Sequence, residues 1–319
     1  MKILIISTNA LGDTYLSAAA LEPLRNSFPT SEIHFLSEEK SRFLLEQFSV
    51  ERCFYLSGRN IPSLIAMSRK ISGEKYDVVL TFFPGLVNSF LFRMAKSPVK
   101  VGFVNFVPMK EWYNRPQNLS VKGVRSPEIR WLPGMTFLER ITLALSSLGI
   151  RGAEIKKARF FPAGRRFEGD EKKIVLHFKS RSPAKSLKAE CLADIVRDLT
   201  LNKGFDAVLI GAKDDFLELR SSLLTSKDCE IQTDLSLRDL VRTVLSCRLF
   251  IGIDSFPLHL ADAHDSPFVG IFAPTNPSSV LEHPEKSIKF AKPLLRDVTS
   301  QEILIALQDF LPKSEEKTK

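Results

Sequence analysis

The residues best suited to chemistry fall in three short stretches. The first is DSFPLHLA, Asp254 to Ala261, which follows the apolar run Leu249–Ile253 and precedes ADAHDSP and a second apolar run, FVGIFAP. That order reads strand, tight turn, short helix, strand. Asp254 or Ser255 is placed to cap the helix, and Pro257 suits its first turn, where its missing amide hydrogen costs nothing. Free amides at such a helix start, with the positive end of the helix dipole, form an anion site at the carboxyl end of a sheet. His259 would then sit in the first turn, facing the bound group. The same residues also fit an ordinary α/β turn with a buried polar helix start.

The second stretch is HFKSRSPAKSLK, where Lys179, Arg181, Lys185 and Lys188 gather four cations within ten residues. Ser180, Ser182 and Ser186 add donors. A loop of this kind after a strand suits a phosphate or diphosphate, and equally a solvated charge run. It lacks the glycine pattern of a Walker loop or a dinucleotide fingerprint. The third stretch is the Gly12–Asp13 pair after the first strand. A carboxylate there could take a proton from an attacking hydroxyl or could simply cap its helix. His177, His259 and His264 have no metal-ligand spacing, and no nucleophile elbow or kinase signature is present. His34 and His283 read as incidental.

These residues need a scaffold with strands that end at one rim. ILII (3–6) reads as a buried central strand, with Gly12 permitting a turn and Asp13 or Thr14 opening a helix. Strands at 32–37, 53–56 and 76–82 alternate with helices at 41–48 and 61–71. The segment 98–123 is rich in proline and polar residues and reads as a functional loop. A helix over 135–150 is followed by a mixed-charge linker. The rhythm restarts at 174–178, with strands at 206–211 and, more weakly, at 229–234. Helices are expected at 190–204, 214–224 and 237–247. A last helix, 298–311, carries a capping box of Thr299 or Ser300 with Glu302. Two open α/β sheets follow, with domains at 1–165 and 166–311 and a disordered tail at 312–319.

Composition narrows the partners. The 319 residues are 44% hydrophobic and 26% charged, enough for two ordinary cores. A net charge of +8 suits a negatively charged partner. No module or aromatic–basic alternation points to nucleic acid. Cys53, Cys191, Cys229 and Cys247 are far apart and read as free thiols of a reducing compartment. With no signal peptide and no apolar run near the ~20 residues of a membrane helix, the expected location is the cytoplasm.

DSFPLHLADAHDSPFVGIFAPTNP resembles the signature of glycosyltransferase family 9, the ADP-heptose:lipopolysaccharide heptosyltransferases. There an Asp-Ser-Gly-Pro-x-His-Leu-Ala run precedes Phe-Gly-Pro-Thr-x-Pro. The opening ILIISTNALGDTYLSAAALEPLRNSFP is similar to the family's first strand and Gly-Asp turn. YDVVLTFFPGLVNSFLFRMAKSPVKVGF, FLERITLALSSLGI and HFKSRSPAKSLK follow in the family's order, so the resemblance covers nearly the whole chain. It implies a GT-B fold: two Rossmann-like domains with parallel sheets facing across a cleft, the first binding acceptor and the second nucleotide sugar.

By position, Asp13 matches the family's general base and Lys185 the lysine that contacts donor phosphates. Asp254, Ser255, Leu258 and His259 match the donor diphosphate loop, and Lys179 adds a cation there. The resemblance implies an inverting transfer of a sugar, with heptose the family's own, without a bound metal or a cofactor. The donor would be an ADP-linked sugar, and the acceptor a phosphorylated lipid-linked saccharide of lipopolysaccharide-core type. Peripheral contact with the inner face of the inner membrane follows. Alternatives are a family-9-like binder that has lost catalysis, or a GT-B nucleotide-sugar epimerase. Phe256, Lys179 and Ala273 stand where the family has glycine, and Thr81 where an acid is common.

Overall fold

The computed structural model describes residues 1–83, 85–103, 119–122 (backbone path only), 135–161, 170–217, 219 and 229–311. The chain divides into two compact units, Met1–Phe160 and Phe161–Lys319. The boundary read at 165/166 and the tail 312–319 lie outside the described residues.

In the first unit, β1 (Lys2–Ile6) leads into α1 (Leu11–Ser17) and α2 (Leu21–Ser27), then β2 (Glu32–Glu38), α3 (Arg42–Glu46), β3 (Arg52–Leu56) and α4 (Ile61–Gly73). Next come β4 (Val78–Thr81), α5 (Leu86–Met94), β5 (Val99–Phe103), β6 (Leu119–Lys122) and α6 (Phe137–Ser146). The sheet order is β3-β2-β1-β4-β5-β6, parallel except for the β5–β6 pair. Alternation divides the buried strand residues between two cores. Ile3, Ile5, Phe35 and Leu80 pack with Leu16, Leu24, Ile141 and Leu145. Leu4, Ile6, Leu36 and Val79 pack with Met67, Ile71 and Leu91. Being covered on both faces is why ILII is apolar without interruption.

The second unit runs β7 (Asp170–His177), α7 (Ala189–Arg197), β8 (Asp206–Gly211), β9 (Glu230–Thr233), α8 (Leu237–Leu245) and β10 (Cys247–Ile253). It continues with α9 (Phe256–Ala263), β11 (Phe268–Phe272), β12 (Ser287–Lys289) and α10 (Ser300–Leu307). Every pair in the sheet β12-β11-β10-β7-β8-β9 is parallel. Counted from its own first strand, this is the Rossmann order 3-2-1-4-5-6, and the first five strands of the other unit follow the same order. Both units are Rossmann-like, the α/β class of GT-B proteins.

Local chemistry accounts for most differences from the sequence reading. The first helix starts at Leu11, so Gly12 and Asp13 lie inside its first turn and Gly12 makes no turn of its own. The helical stretch that follows is broken by a 3-10 turn at Ala18–Ala20, because Pro23 lacks the amide that would continue the ladder. Thr136 and Thr299 cap α6 and α10, each in a full capping box with Glu139 and Glu302. Of the helix expected at 214–224, the described part opens as a 3-10 turn at Lys213–Phe216, and most residues beyond Leu217 lie outside the described set. Strand β12, three residues long, escaped the sequence reading because so short a run has no period to read.

Candidate functional site

Each Rossmann order reverses at one point, between β1 and β4 in the first unit and between β7 and β10 in the second. Loops leaving the carboxyl ends of adjacent strands diverge there, and the crevice between them is where such sheets bind ligands. The candidate site residues read from the sequence lie on the loops after β1, β7 and β10 or on the helices they enter.

In the second unit, the loop after β7 and the turn after β10 are joined by charge. The Lys185 ammonium pairs with Asp254 Oδ2, and His259 Nε2 lies 3.5 Å from Asp254 Oδ1. Asp254 and His259 are buried and Lys185 is half-buried. Burial alone would raise the Asp254 pKa. The neighbouring His259 and Lys185 more than offset it, and the carboxyl is held well below the ordinary range. Beside this pair, Ser255 Oγ bonds His177 Nδ1 at 3.0 Å and donates to the Ile253 carbonyl at 3.0 Å. Burial pushes the His177 imidazole down from 6.5 to about 4.

Two sequence expectations change here. Ser255 is the N-cap of α9 by position, yet its hydroxyl serves His177 and makes no cap bond. The amides of Leu258 and His259 are not open donors, since both donate to the Ser255 carbonyl, at 3.1 and 3.2 Å. A helix must close its first turn, and here the cap carbonyl takes both amides. Phe256, at the first helical position, is buried.

The cationic loop also spends its serines on itself. Ser186 Oγ accepts from Ser180 N at 3.0 Å and donates to the Ser180 carbonyl at 3.3 Å, and Ser180 Oγ accepts from Ser182 N at 3.3 Å. These hydroxyls therefore shape the loop, and its positive charge is what it offers a ligand. Lys179 is half-buried at the loop's start, while Arg181 and Lys188 are exposed. Lys185 is distinguished by its place in a short turn, Pro183–Lys185, that holds it against Asp254.

In the first unit the corresponding joint is neutral. Asn88, in α5, accepts from Thr8 N at 2.9 Å and from Thr8 Oγ1 at 2.7 Å, and donates to the Phe83 carbonyl at 3.0 Å. Ser7, at the end of β1, receives Ser37 Oγ at 2.7 Å and Thr14 Oγ1 at 3.1 Å on its carbonyl. A β-carbon on Gly85 would lie 2.7 Å from Asn9 Oδ1, so the Asn9 side chain would have to turn aside to admit one. Asp13 follows this tied turn, half-buried, and its Oδ2 accepts from Ala10 N at 3.2 Å. Burial pushes the Arg140 guanidinium, on α6, down to about 10, and the charge of Asp13 opposes that shift.

Three residues of these sites escaped the sequence reading. His177 was weighed there only as a metal ligand; its position as the last residue of a buried strand was the available signal. Arg140 could have been flagged as a charge beside the apolar stripe of α6. Asp262 is fully buried in α9 and accepts from Glu282 N at 2.8 Å and His283 N at 3.0 Å, pinning the loop after β11. No local pattern announces that last role. The four cysteines are free thiols, three of them buried.

Two Rossmann-like units, each with polar and charged groups at its switch point, are the architecture of GT-B proteins. Residues 64–286 match glycosyltransferase family 9 (heptosyltransferase), which is more than half of the chain, and the chain belongs to that family. It is similar to lipopolysaccharide heptosyltransferase 1 of Campylobacter coli, 25% identical over 86% of this chain and 84% of that protein. Among solved structures, it resembles a family 9 glycosyltransferase from Veillonella parvula (TM-score 0.70, 18% identity, covering 97% and 96% of the two chains). It also resembles the Escherichia coli heptosyltransferase WaaC bound to ADP (TM-score 0.69, 19% identity, 97% of each chain). The protein is a glycosyltransferase of the heptosyltransferase type. No helix among the described residues is long and apolar enough to cross a membrane.

Proposed function

We propose that this glycosyltransferase moves a heptose from an ADP-linked donor to a phosphorylated, lipid-linked saccharide of lipopolysaccharide-core type, with inversion at the anomeric carbon. It would work at the inner face of the inner membrane. The observation that carries the reading is the Lys185–Asp254 pair at the β7/β10 switch point, where a fixed cation stands at the rim suited to a diphosphate. ADP is the ligand named for the similar Escherichia coli structure, which supports an ADP-linked donor over a UDP-linked one.

In this mechanism Asp13 takes the proton from the acceptor hydroxyl as its oxygen bonds the anomeric carbon. The bond from that carbon to the diphosphate oxygen breaks, and the nucleotide diphosphate leaves with the electron pair. Lys185, with Lys179 on the same loop, stabilises the growing charge, and a fixed cation does so without reorganisation at the moment of reaction. Asp254 holds the lysine in position, and Ser255, Leu258 and His259 complete the donor turn. The proposal is a single displacement and calls on no cofactor.

The test is to incubate purified protein with ADP- and UDP-linked sugars and a lipid acceptor extract, and to read products by mass and anomeric configuration. The proposal expects transfer from the ADP-linked heptose with inverted configuration. Retention would overturn the mechanism, and release of an isomerised sugar without acceptor would identify an epimerase.

A further inference from the structure

Helices α4 and α5 lie side by side in the first unit and leave an apolar groove of about 370 Å³ between them, lined by Arg59, Ile61, Leu64, Leu86, Val87 and Phe90. The apolar surface extends beyond the groove. Ile61 is 72% exposed, Leu86 57%, Met94 45% and Ile65 39%, four of the eight large apolar side chains that stand well exposed among the described residues. Their spacing explains the arrangement: Ile61, Ile65 and Arg69 follow at four-residue steps on α4, and Leu86, Phe90 and Met94 do the same on α5. A face of this kind gains nothing from water and marks a place where something else is met.

The charges around it select the occupant. Arg69, Lys70, Arg93 and Lys96 are exposed on or just after these helices, and residues 61–73 and 86–98 contain no Asp or Glu. Arg59 on the groove wall is paired with Glu38, and an apolar stripe whose own two helices carry cations and no carboxylate is the pattern of a surface that sits at the headgroup boundary of an anionic bilayer. The groove also has a place in the fold: Arg59, on its wall, donates to the Thr8 carbonyl at 2.8 Å. Gly85, immediately before Leu86, abuts Asn9. The groove therefore opens beside the turn that runs into Asp13.

We infer that the α4–α5 face docks this protein onto an anionic lipid surface, with Ile61, Ile65, Leu86 and Met94 entering the boundary and Arg69, Lys70, Arg93 and Lys96 meeting the headgroups. This rests on the proposed lipid-linked acceptor and adds the face by which its membrane is met. With this face on the bilayer, the turn before Asp13 lies beside the plane that holds such an acceptor.

The test is sedimentation of the full chain with vesicles of phosphatidylcholine alone or mixed with phosphatidylglycerol. Wild type should bind the mixed vesicles, less tightly as salt rises, and bind pure phosphatidylcholine weakly. Ile61→Ser with Ile65→Ser should lower the affinity about 10-fold, and Arg69→Glu about 5-fold or more. Thermal melting should stay at the wild-type value, since these side chains are exposed. Lys172→Glu with Lys213→Glu, exposed lysines of the second unit, should leave binding unchanged. Failure of wild type to bind anionic vesicles, or equal losses from the second-unit pair, would overturn the inference. So would a wild-type dimer that Ile61→Ser with Ile65→Ser turns into a monomer, which would assign the face to a second copy of the chain. Binding is read without sugar transfer, so a failed transfer assay leaves the result standing, and lost docking leaves the transfer assay to decide the reaction by itself.

Discussion

The two units use one topology to build two different joints. In each, the loop after the first strand is tied to the segment after the fourth, across the switch point. The first unit ties Thr8 to Asn88 with neutral hydrogen bonds at 2.9 and 2.7 Å. The second ties Lys185 to Asp254 with an ion pair and His177 to Ser255 with a hydrogen bond. A neutral, fully satisfied network holds backbone in place and is indifferent to an incoming charge. A buried ion pair is costly to desolvate, and its lysine remains able to attract an anion. One joint is thus built to hold a side chain still, and the other to meet a ligand.

The sharpest way to break that contrast is Asp13→Asn. If the neutral joint exists to present a base, turnover should fall by about 10²–10⁴-fold with donor affinity kept, as steady-state rates and calorimetric titration would show. Full activity with a lowered melting temperature would assign Asp13 to its helix start, where it accepts from Ala10 N.

Next in size is the pair of joint deletions. Asp254→Ala removes the partner of Lys185 and the neighbour of His259 and should cost about 3 kcal/mol in urea unfolding. Asn88→Ala orphans the Thr8 amide and hydroxyl and should cost about 2 kcal/mol. The larger loss should also weaken donor binding, and the smaller should not. The reverse pattern would invert the roles assigned to the two units.

A ligand arm then sharpens the comparison. Lys185→Ala should weaken nucleotide-diphosphate affinity by about 2 kcal/mol, the scale of a hydrogen bond to a charged group. Lys188→Ala should change it little, because that residue is exposed at the start of α7. Equal effects would mean that the loop acts as a diffuse field.

The smallest effect is on pH dependence. His177 titrates near 4 when folded and near 6.5 when unfolded, so between those values the unfolded chain binds the extra proton. Stability conferred by the neutral ring is therefore complete above pH 6.5 and is lost as pH falls toward about 4. The loss should reach about 2 kcal/mol, below the full shift because the residue still touches solvent. Asp254, with its pKa depressed, adds a loss only below 3.8, the ordinary carboxyl value. His177→Gln should flatten the upper slope in unfolding titrations. An unchanged slope would move the acid sensitivity to other groups.

Much of this was legible in the chain itself. ILII, IVLHF and LFIGI announce strands covered on both faces, because a strand with no water on either side has no reason to alternate. The capping box at Thr299 could be placed from four residues, since the contacts are local. The order of motifs around Asp13, Lys185 and Asp254 was enough to point to glycosyltransferase family 9. Propensity and nearest-neighbour chemistry determine such features, and both are written in sequence.

Only the tertiary structure could decide which groups meet. Asp254 and Lys185 are 69 positions apart, Thr8 and Asn88 80 apart, and Ser255 and His177 78 apart. Each pair is joined because parallel strands with long crossovers bring distant loops to one rim. The fate of the Leu258 and His259 amides was also beyond the sequence. A helix start offers free donors until the geometry of its cap is known, and here the Ser255 carbonyl accepts both. Exposure is the last such property. Ile61 and Leu86 are as apolar as any core residue, and only the packing of α4 on α5 leaves them facing out, because a helix surface is hidden or shown by what lies against it.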